Sequence, residues 1–417
     1  MVLRALRVFV FVVSAFAVTA LTLVGSRVVT QPRALDSVEV SLLVSAERAA
    51  SGGALYVEPS HADEPALMPG FPLAVSLMAR GFGPDLRQGR ALALLATLLV
   101  AALALFIVRL ETRSWTLAVA SVGFVILGCG LLAGPPAAAR PEILMMLLVM
   151  LGFLALRLTN GMLGALAAAL LLAAAFFTSA AAVWFVPAAV LALAFEERKR
   201  LVTLAVASTV LIGGGYVALS QVFGPWFNFM VWDEWMRALR LSASAPLRYV
   251  GDHLLGRLGV PTLATVLSFA MPTPPWRGKP GLWTCMAIAA VAGGLLSTQN
   301  GAFGPEARLP GIIALAILGP ISMQRVTQHL SAWPGSSRLG GQGVVLAALT
   351  LQFIVFLSCL SSSSWRTGAE HRMSLAPSPA VSAPSRLAHA GSETAMNDER
   401  GGAGLVRDPG VRTASVR

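Results

Sequence analysis

The residues best suited to chemistry lie in one polar stretch, between the first two apolar segments. Asp36 and Glu39 stand three residues apart, at the start of a predicted helix that runs to about Ala50. A carboxylate at the edge of a bilayer can act as a general base if it stays ionised within hydrogen-bond reach of a hydroxyl group. The same acids also fit a structural role, with Asp36 capping the helix and Glu39 completing a capping-box-like pair. The two roles are compatible, because a capping aspartate can still accept a proton.

A second polar cluster, His61, Asp63 and Glu64, follows in the same stretch. Imidazole and carboxylate groups this close together could hold a hard divalent cation. A solvated loop is the simpler interpretation, because there is no second set of ligands. We therefore predict no metal and no other cofactor, and keep a divalent cation at this cluster as the alternative.

The composition defines the class of protein that must position these residues. The chain has 417 residues, of which 56% are apolar and 12% charged, whereas soluble domains carry roughly 25% charged residues. A soluble globule, a disordered protein and a disulfide-stapled module are excluded. The net charge is +11, and because the arginines mostly flank apolar segments it favours lipid headgroups over nucleic acid.

The apolar segments predict an all-α polytopic membrane protein with about eleven transmembrane helices, since a span needs about 20 apolar residues. We interpret the first as an uncleaved span rather than a signal peptide. The predicted spans are Ala5–Val29, Ala91–Leu110, Trp115–Leu132, Ile143–Leu156, Met162–Phe177, Ala180–Phe195, Leu201–Phe223, Leu258–Met271, Leu282–Leu296, Leu309–Met323 and Val344–Leu360.

The membrane domain is predicted to cover residues 1–360, and residues 361–417 form a disordered low-complexity tail. Residues 31–88 form a large first outer loop with two amphipathic helices, one over 36–50 and one from Leu73 to Gly81. Basic residues near the N-terminus, at 196–200 and at 277–279 are predicted to be cytoplasmic, and the number of spans between them has the required parity. The loop then faces the outside.

Three stretches carry a family resemblance. They are Asp36-Ser37-Val38-Glu39 with Gly52-Gly53 and Leu55-Tyr56, then Glu64-Pro65 to Pro72-Leu73 with Gly89-Arg90, and Ala139-Arg140-Pro141-Glu142 at the start of a span. This pattern resembles the polyprenyl-phosphate-sugar-dependent membrane glycosyltransferases of the GT-C superfamily, in particular the protein mannosyltransferase and Rgt-like branches. The chain departs from that pattern in the three-residue spacing of Asp36 and Glu39, and in Glu142 where the family usually has aspartate.

The resemblance implies a function and assigns site residues. A sugar would move from a polyprenyl-phosphate donor to an extracytoplasmic glycan, lipid or protein acceptor, with inversion and with Asp36 as the general base. Glu39 would orient the acceptor or tune that base. The leaving phosphate would be held by arginines, whose guanidinium groups fork onto phosphate and stay charged. The candidates are Arg90, Arg140 and Arg308.

Each of these assignments has an alternative. The three arginines fit ordinary interfacial positions, with their stems along the lipid. Glu142 is at the start of a predicted helix, where the helix dipole favours an acid. The alternative is that Glu142 contacts the acceptor, a role also assigned to Tyr56, Asp63 and Glu64. For the whole protein, the alternatives are a multi-span transporter or flippase for a lipid-linked glycan, and a non-catalytic envelope assembly protein. The predicted location is the bacterial cytoplasmic membrane.

Overall fold

A computed structural model describes residues 1–35, 37–58, 68–132, 137–194, 197–233, 249–271, 281–297, 308–331 and 338–361. Within these ranges the chain forms helices and no β-strand. The candidate residues Asp36, Asp63 and Glu64 and the tail from residue 362 lie outside the described residues.

The helices follow the apolar segments of the sequence. They are α1 (Val2–Thr30), α2 (Ser37–Ala50), α3 (Gly70–Phe82), α4 (Leu86–Thr112), α5 (Trp115–Leu132), α6 (Pro141–Leu158), α7 (Met162–Thr178), α8 (Phe185–Ala194), α9 (Arg198–Thr209), α10 (Gly215–Phe223), α11 (Pro225–Asn228), α12 (Gly256–Phe269), α13 (Gly281–Ser297), α14 (Leu309–Ser331) and α15 (Arg338–Ser361). A 3-10 turn, Ala180–Trp184, precedes α8, and a π-helical turn, Val210–Gly214, joins α9 to α10.

The predicted fold class is confirmed, and each of the eleven predicted spans contains a helix within its described residues. In the described part of the chain, six helices are long and apolar enough to cross a membrane. They are Val2–Thr30, Leu86–Thr112, Pro141–Leu158, Arg198–Phe223, Leu309–His329 and Gly340–Cys359. Four further apolar helices are shorter, namely Trp115–Gly130, Met162–Thr178, Ala180–Ala194 and Gly281–Leu296. The protein is therefore an integral, multi-pass membrane protein.

Contacts between the helix ends define two ends of the bundle. We call the end that carries α2 and α3 the loop end, where α1 ends and α4 and α6 begin. At the opposite, basal end, Arg7 Nη2 donates to Gln342 Oε1 at 3.2 Å, which joins the start of α1 to that of α15. Arg200 of α9 donates there to the Leu156 carbonyl at 2.6 Å. These bonds show that α1 and α9 begin at the basal end, and that α6 ends there.

Small residues let the helices approach closely, as expected in a bilayer. A Cβ on Gly128 would lie 2.7 Å from Ile312, and one on Gly293 would lie 2.8 Å from the Trp184 ring. Small side chains at these positions therefore set the distances between α5 and α14, and between α13 and the turn before α8.

A kink in one helix of the membrane domain is stabilised by hydrogen bonds with a buried side chain. Leu258 has non-helical angles (φ −116°, ψ 32°), and Pro261 follows it in α12. Gln352 of α15, which is 1% exposed, accepts from the Val260 N–H at 3.0 Å and donates to the Arg257 carbonyl at 2.6 Å. These bonds satisfy backbone groups that would otherwise be unpaired in an apolar environment.

Candidate functional site

The first outer loop is organised around a buried ion pair between Glu39 of α2 and Arg90 of α4. Both side chains are fully buried, and Arg90 Nη2 lies 2.6 Å from Glu39 Oε2. Arg90 Nε donates to Glu39 Oε1 at 3.1 Å, so the two groups meet as parallel forks. Bidentate pairs of this kind fix geometry as well as adding energy.

The remaining donors of Arg90 bind the chain that leaves α1. Nη1 donates to the carbonyls of Val28 at 2.9 Å and Gln31 at 2.6 Å, and Nη2 donates to that of Arg33 at 2.7 Å. A guanidinium has five N–H donors, and all five are accounted for by these three carbonyls and Glu39. Arg90 could contact a donor phosphate only if one of these bonds broke. In this structure its role is therefore to join α2 and the segment after α1 to the start of α4.

Glu39 makes a matching set of contacts. Its Oε2 accepts from the Leu35 N–H at 2.9 Å, and its Oε1 accepts from the Ala139 N–H at 3.0 Å. The pair thus joins the end of α1, the start of α2, the start of α4 and the segment that leads into α6. Asp36, the predicted base, follows Leu35 directly in sequence and precedes the first residue of α2.

The pKa of Glu39 is lowered from its ordinary value. Burial acts in the opposite direction and would raise it, but hydrogen bonds from Arg90, Leu35 and Ala139 and the positive charge of Arg90 outweigh that effect. Glu39 is therefore a carboxylate at neutral pH. A permanently ionised, fully hydrogen-bonded acid suits a positioning role better than proton transfer.

Apolar packing of α2 on α3 surrounds the pair. Leu42 and Ala46, one and two turns after Glu39, are buried against Phe71 and Val75 of α3. The buried face of α2 runs through Glu39, Leu42 and Ala46. It differs from the face expected from helical periodicity, because Val40 is 40% exposed. That expected face comprises Asp36, Glu39, Val40, Leu43 and Glu47.

Two glycines allow the close approach of these elements. Gly89, next to Arg90, packs so tightly that a Cβ there would lie 3.1 Å from the Ala139 Cβ. Gly70 begins α3 against the end of α7, and a Cβ there would lie 2.6 Å from the Phe177 carbonyl oxygen. The Gly70 and Gly89 positions of the family-like motif thus have a packing reason of their own.

Tyr56 lies in a separate aromatic cluster of the loop end. Its ring makes edge contacts with Phe223 of α10 and Phe227 of α11, at centroid distances of 5.4 and 5.2 Å. Tyr216 stacks on Phe227 at 5.3 Å, and Leu73 of α3 packs on the same cluster. Burial raises the pKa of Tyr56, so its hydroxyl stays protonated. The cluster connects the loop to α10 and α11.

The other predicted site residues fall into two places. Arg140 is 9% exposed and follows Ala139, so it adjoins the Glu39–Arg90 pair, and Glu142 occupies the first turn of α6. Arg308 precedes α14 and interacts electrostatically with the buried Tyr249. The structure thus pairs Glu39 with Arg90, places Arg140 directly after the Ala139 whose N–H binds Glu39, and places Tyr56 and Arg308 in separate surroundings. In the described ranges, no group of three His, Cys, Asp or Glu residues could hold a metal ion.

Two participants have no counterpart in the sequence-based prediction. Tyr249 lies beside Arg308, and the aromatic cluster adds Tyr216 to Tyr56. The sequence feature that could have indicated Tyr249 is its position in a short polar stretch between apolar segments. That stretch has no periodicity that would have assigned it to a particular end of the bundle.

Comparison with known proteins shows the fold. No family model matches the sequence, and no curated protein matches it. A solved structure of ArnT from Cupriavidus metallidurans bound to undecaprenyl phosphate aligns with 86% of this chain and 78% of its own, with a TM-score of 0.61 and 14% identity. This chain has the fold of ArnT. The apo form of ArnT gives a TM-score of 0.59 and 16% identity, over 85% of this chain and 76% of its own.

A second protein shares the architecture. The archaeal oligosaccharyltransferase AglB from Archaeoglobus fulgidus, in complex with an inhibitory peptide and a dolichol-phosphate, aligns over 89% of this chain with a TM-score of 0.51 and 11% identity. The match covers 60% of AglB itself. The all-helical, multi-pass membrane fold predicted from the sequence is confirmed, and it is shared with ArnT. The mannosyltransferase and Rgt-like branches stay predictions.

Proposed function

We propose that this protein is a membrane glycosyltransferase that moves a sugar from a polyprenyl-phosphate donor to an extracytoplasmic acceptor, with inversion at the sugar carbon. The observation that carries the proposal is the fold shared with ArnT, whose solved structure holds undecaprenyl phosphate. AglB, which shares the fold less closely, was solved with a dolichol-phosphate. Two polyprenyl-phosphate complexes on one architecture support a donor of this class.

Asp36 is the proposed general base. It stands at the junction of Leu35 and α2, and both neighbours are fixed, Leu35 by its hydrogen bond to Glu39 and α2 by its packing on α3. A carboxylate there would take the proton of the acceptor hydroxyl as the oxygen attacks the sugar carbon and the bond to the donor phosphate breaks. Such proton transfer contributes roughly 10²–10⁴-fold to a rate.

Glu39 and Arg90 act in this proposal as positioning residues rather than catalytic ones. Their charges neutralise each other, and their remaining atoms bind backbone. Arg140 is the proposed phosphate contact, because a cation stabilises the charge that develops on the leaving group. Arg308, which lies in separate surroundings near Tyr249, stays a prediction from the sequence. Tyr56 and Glu142 stay possible acceptor contacts, and no metal is invoked.

The distribution of charge favours an enzyme over a transporter. In the described helices, ionisable side chains such as Arg27, Arg90, Glu111 and Arg157 lie near helix ends. Transporters typically bind substrate near the midplane, with polar groups and broken helices there. The backbone groups at the kink of α12 are bonded by an uncharged side chain, Gln352, rather than by a charged one.

The test is the glycan and glycolipid profile of cells that carry Asp36→Asn, with protein abundance measured in the same samples. Glu58→Gln is the matched control, because Glu58 is an exposed acid of the same loop. Loss of one glycan modification in Asp36→Asn alone supports the enzyme. A profile unchanged at equal abundance contradicts it and favours the assembly role, whereas accumulation of an unmoved lipid-linked glycan points to a flippase.

A further inference from the structure

The basal end of the bundle carries a second buried charge cluster, built on Glu111 at the end of α4. Arg157 of α6 contacts it twice, with Nε 2.6 Å from Oε1 and Nη2 3.4 Å from Oε2. The indole N–H of Trp283, at the start of α13, donates to Oε1 at 3.0 Å. Glu111 is 6% and Arg157 16% exposed, and Trp283 is fully buried.

The charge of Glu111 is already balanced by Arg157 before the second cation, Arg325, is counted. Arg325 of α14 lies close enough to Glu111 to interact electrostatically with it. Yet among the described residues none gives Arg325 a hydrogen bond or an ion pair, since the carboxylate is engaged by Arg157 and Trp283. Among the described residues of this cluster, two cations and one anion leave one positive charge without a counterion, on the partly exposed guanidinium of Arg325 near the basal end of α14.

An uncompensated charge inside a membrane helix is costly unless an anion pairs with it. Arg325 lies six residues before the end of α14, which at 1.5 Å per residue is about 9 Å of helix. That depth corresponds to the boundary between headgroups and acyl chains. The surrounding basal end is basic, with Arg109, Arg113, Arg198 and Lys199 at the ends of neighbouring helices.

We propose that Arg325 and the Glu111–Arg157–Trp283 cluster form a binding site for the phosphate of an anionic membrane phospholipid. The guanidinium presents a fork of N–H donors that matches phosphate oxygens. Glu111 holds Arg157 in place through two contacts. The site lies at the opposite end of the bundle from the proposed catalytic loop, so it is independent of the proposed function.

The test measures lipid binding to the purified full chain in zwitterionic detergent by native mass spectrometry, with phosphatidylglycerol, phosphatidylcholine and inorganic phosphate as the three probes. Wild type should bind phosphatidylglycerol in preference to phosphatidylcholine. Arg325→Gln should weaken that binding about tenfold, the loss of one charge-assisted contact. Arg4→Gln is the matched control, since Arg4 is exposed at the same end and its loss changes the net charge equally.

Equal weakening in both variants would overturn the proposal, because it would reduce the effect to overall charge. Inorganic phosphate that displaces the lipid at low concentration would also overturn it, in favour of a free-anion site. Should Arg325→Gln fail to fold, a photoactivatable phosphatidylglycerol is cross-linked to wild type. Label on the peptide that contains Arg325 supports the site, and label elsewhere without this peptide refutes it.

Discussion

Replacing Arg90 with lysine tests whether the loop end depends on the geometry of the buried pair or only on its charge. Lysine keeps the positive charge but has three N–H donors where arginine has five. At least two of the five observed bonds to Glu39, Val28, Gln31 and Arg33 must be lost. A hydrogen bond to a charged group is worth about 1.5–3 kcal/mol, so the expected cost is roughly 3–6 kcal/mol.

The assay is thermal unfolding of the purified protein in detergent, followed by intrinsic tryptophan fluorescence. At roughly 2 °C per kcal/mol for a large chain, the Tm of Arg90→Lys should fall by roughly 6–12 °C. The matched control is Arg87→Lys, one turn earlier in α4, where the arginine is 61% exposed and pairs with Asp85 only at the surface. Such a pair contributes about 0–1 kcal/mol, so the control should stay within about 2 °C of wild type.

Equal Tm values for Arg90→Lys and Arg87→Lys would refute this reasoning. That result would mean that the five donors of Arg90 do not hold the loop. The phosphate-binding role predicted for Arg90 from the sequence would then be favoured, because its guanidinium would be available to a ligand.

Two further predictions concern the same end of the bundle. Because the pKa of Glu39 is lowered in the folded state, its contribution to stability is complete above the unfolded pKa, near 4.5, and is lost as the pH falls through the folded value. The Tm of Glu39→Gln should therefore be lower than that of wild type at pH 7, and this difference in Tm should narrow as the pH is lowered below about 4.5. A difference that stays constant with pH would exclude the ion pair as its cause. Gly70→Val should lower the Tm by the equivalent of about 1–3 kcal/mol, because the added side chain overpacks against the Phe177 carbonyl. Gly81→Val in the same helix should have a smaller effect, because a Cβ there meets nothing within 4 Å. The opposite order would show that α3 does not pack against α7 as described.

Much of the fold was predictable, because a bilayer requires long apolar helices and the chain supplies them in unbroken runs. The amphipathic helix predicted over 36–50 is α2, which ends at Ala50 as predicted. After that end, Gly52 has a positive φ (80°), and the Gly53 N–H donates to the Arg48 carbonyl. Local signals of this kind depend on neighbours in sequence, which one chain displays directly.

The pairing of Glu39 with Arg90 could not be predicted in the same way. The two residues are 51 positions apart, and both have local interpretations that are complete on their own, a capping acid and an arginine at the mouth of a span. Only the packing of α2 across the start of α4 shows that they meet. The same holds for Gln352, whose partners Arg257 and Val260 lie more than ninety residues away.

The central claim is that Asp36 removes a proton from the acceptor while a polyprenyl phosphate leaves. The most direct measurement is the release of polyprenyl phosphate from a radiolabelled polyprenyl-phosphate sugar by purified protein supplied with membrane acceptors. Asp36→Asn should reduce this release by about 10²–10⁴-fold while its Tm and its binding of polyprenyl phosphate stay close to those of wild type and Glu58→Gln. Release at the wild-type rate from Asp36→Asn would contradict the account.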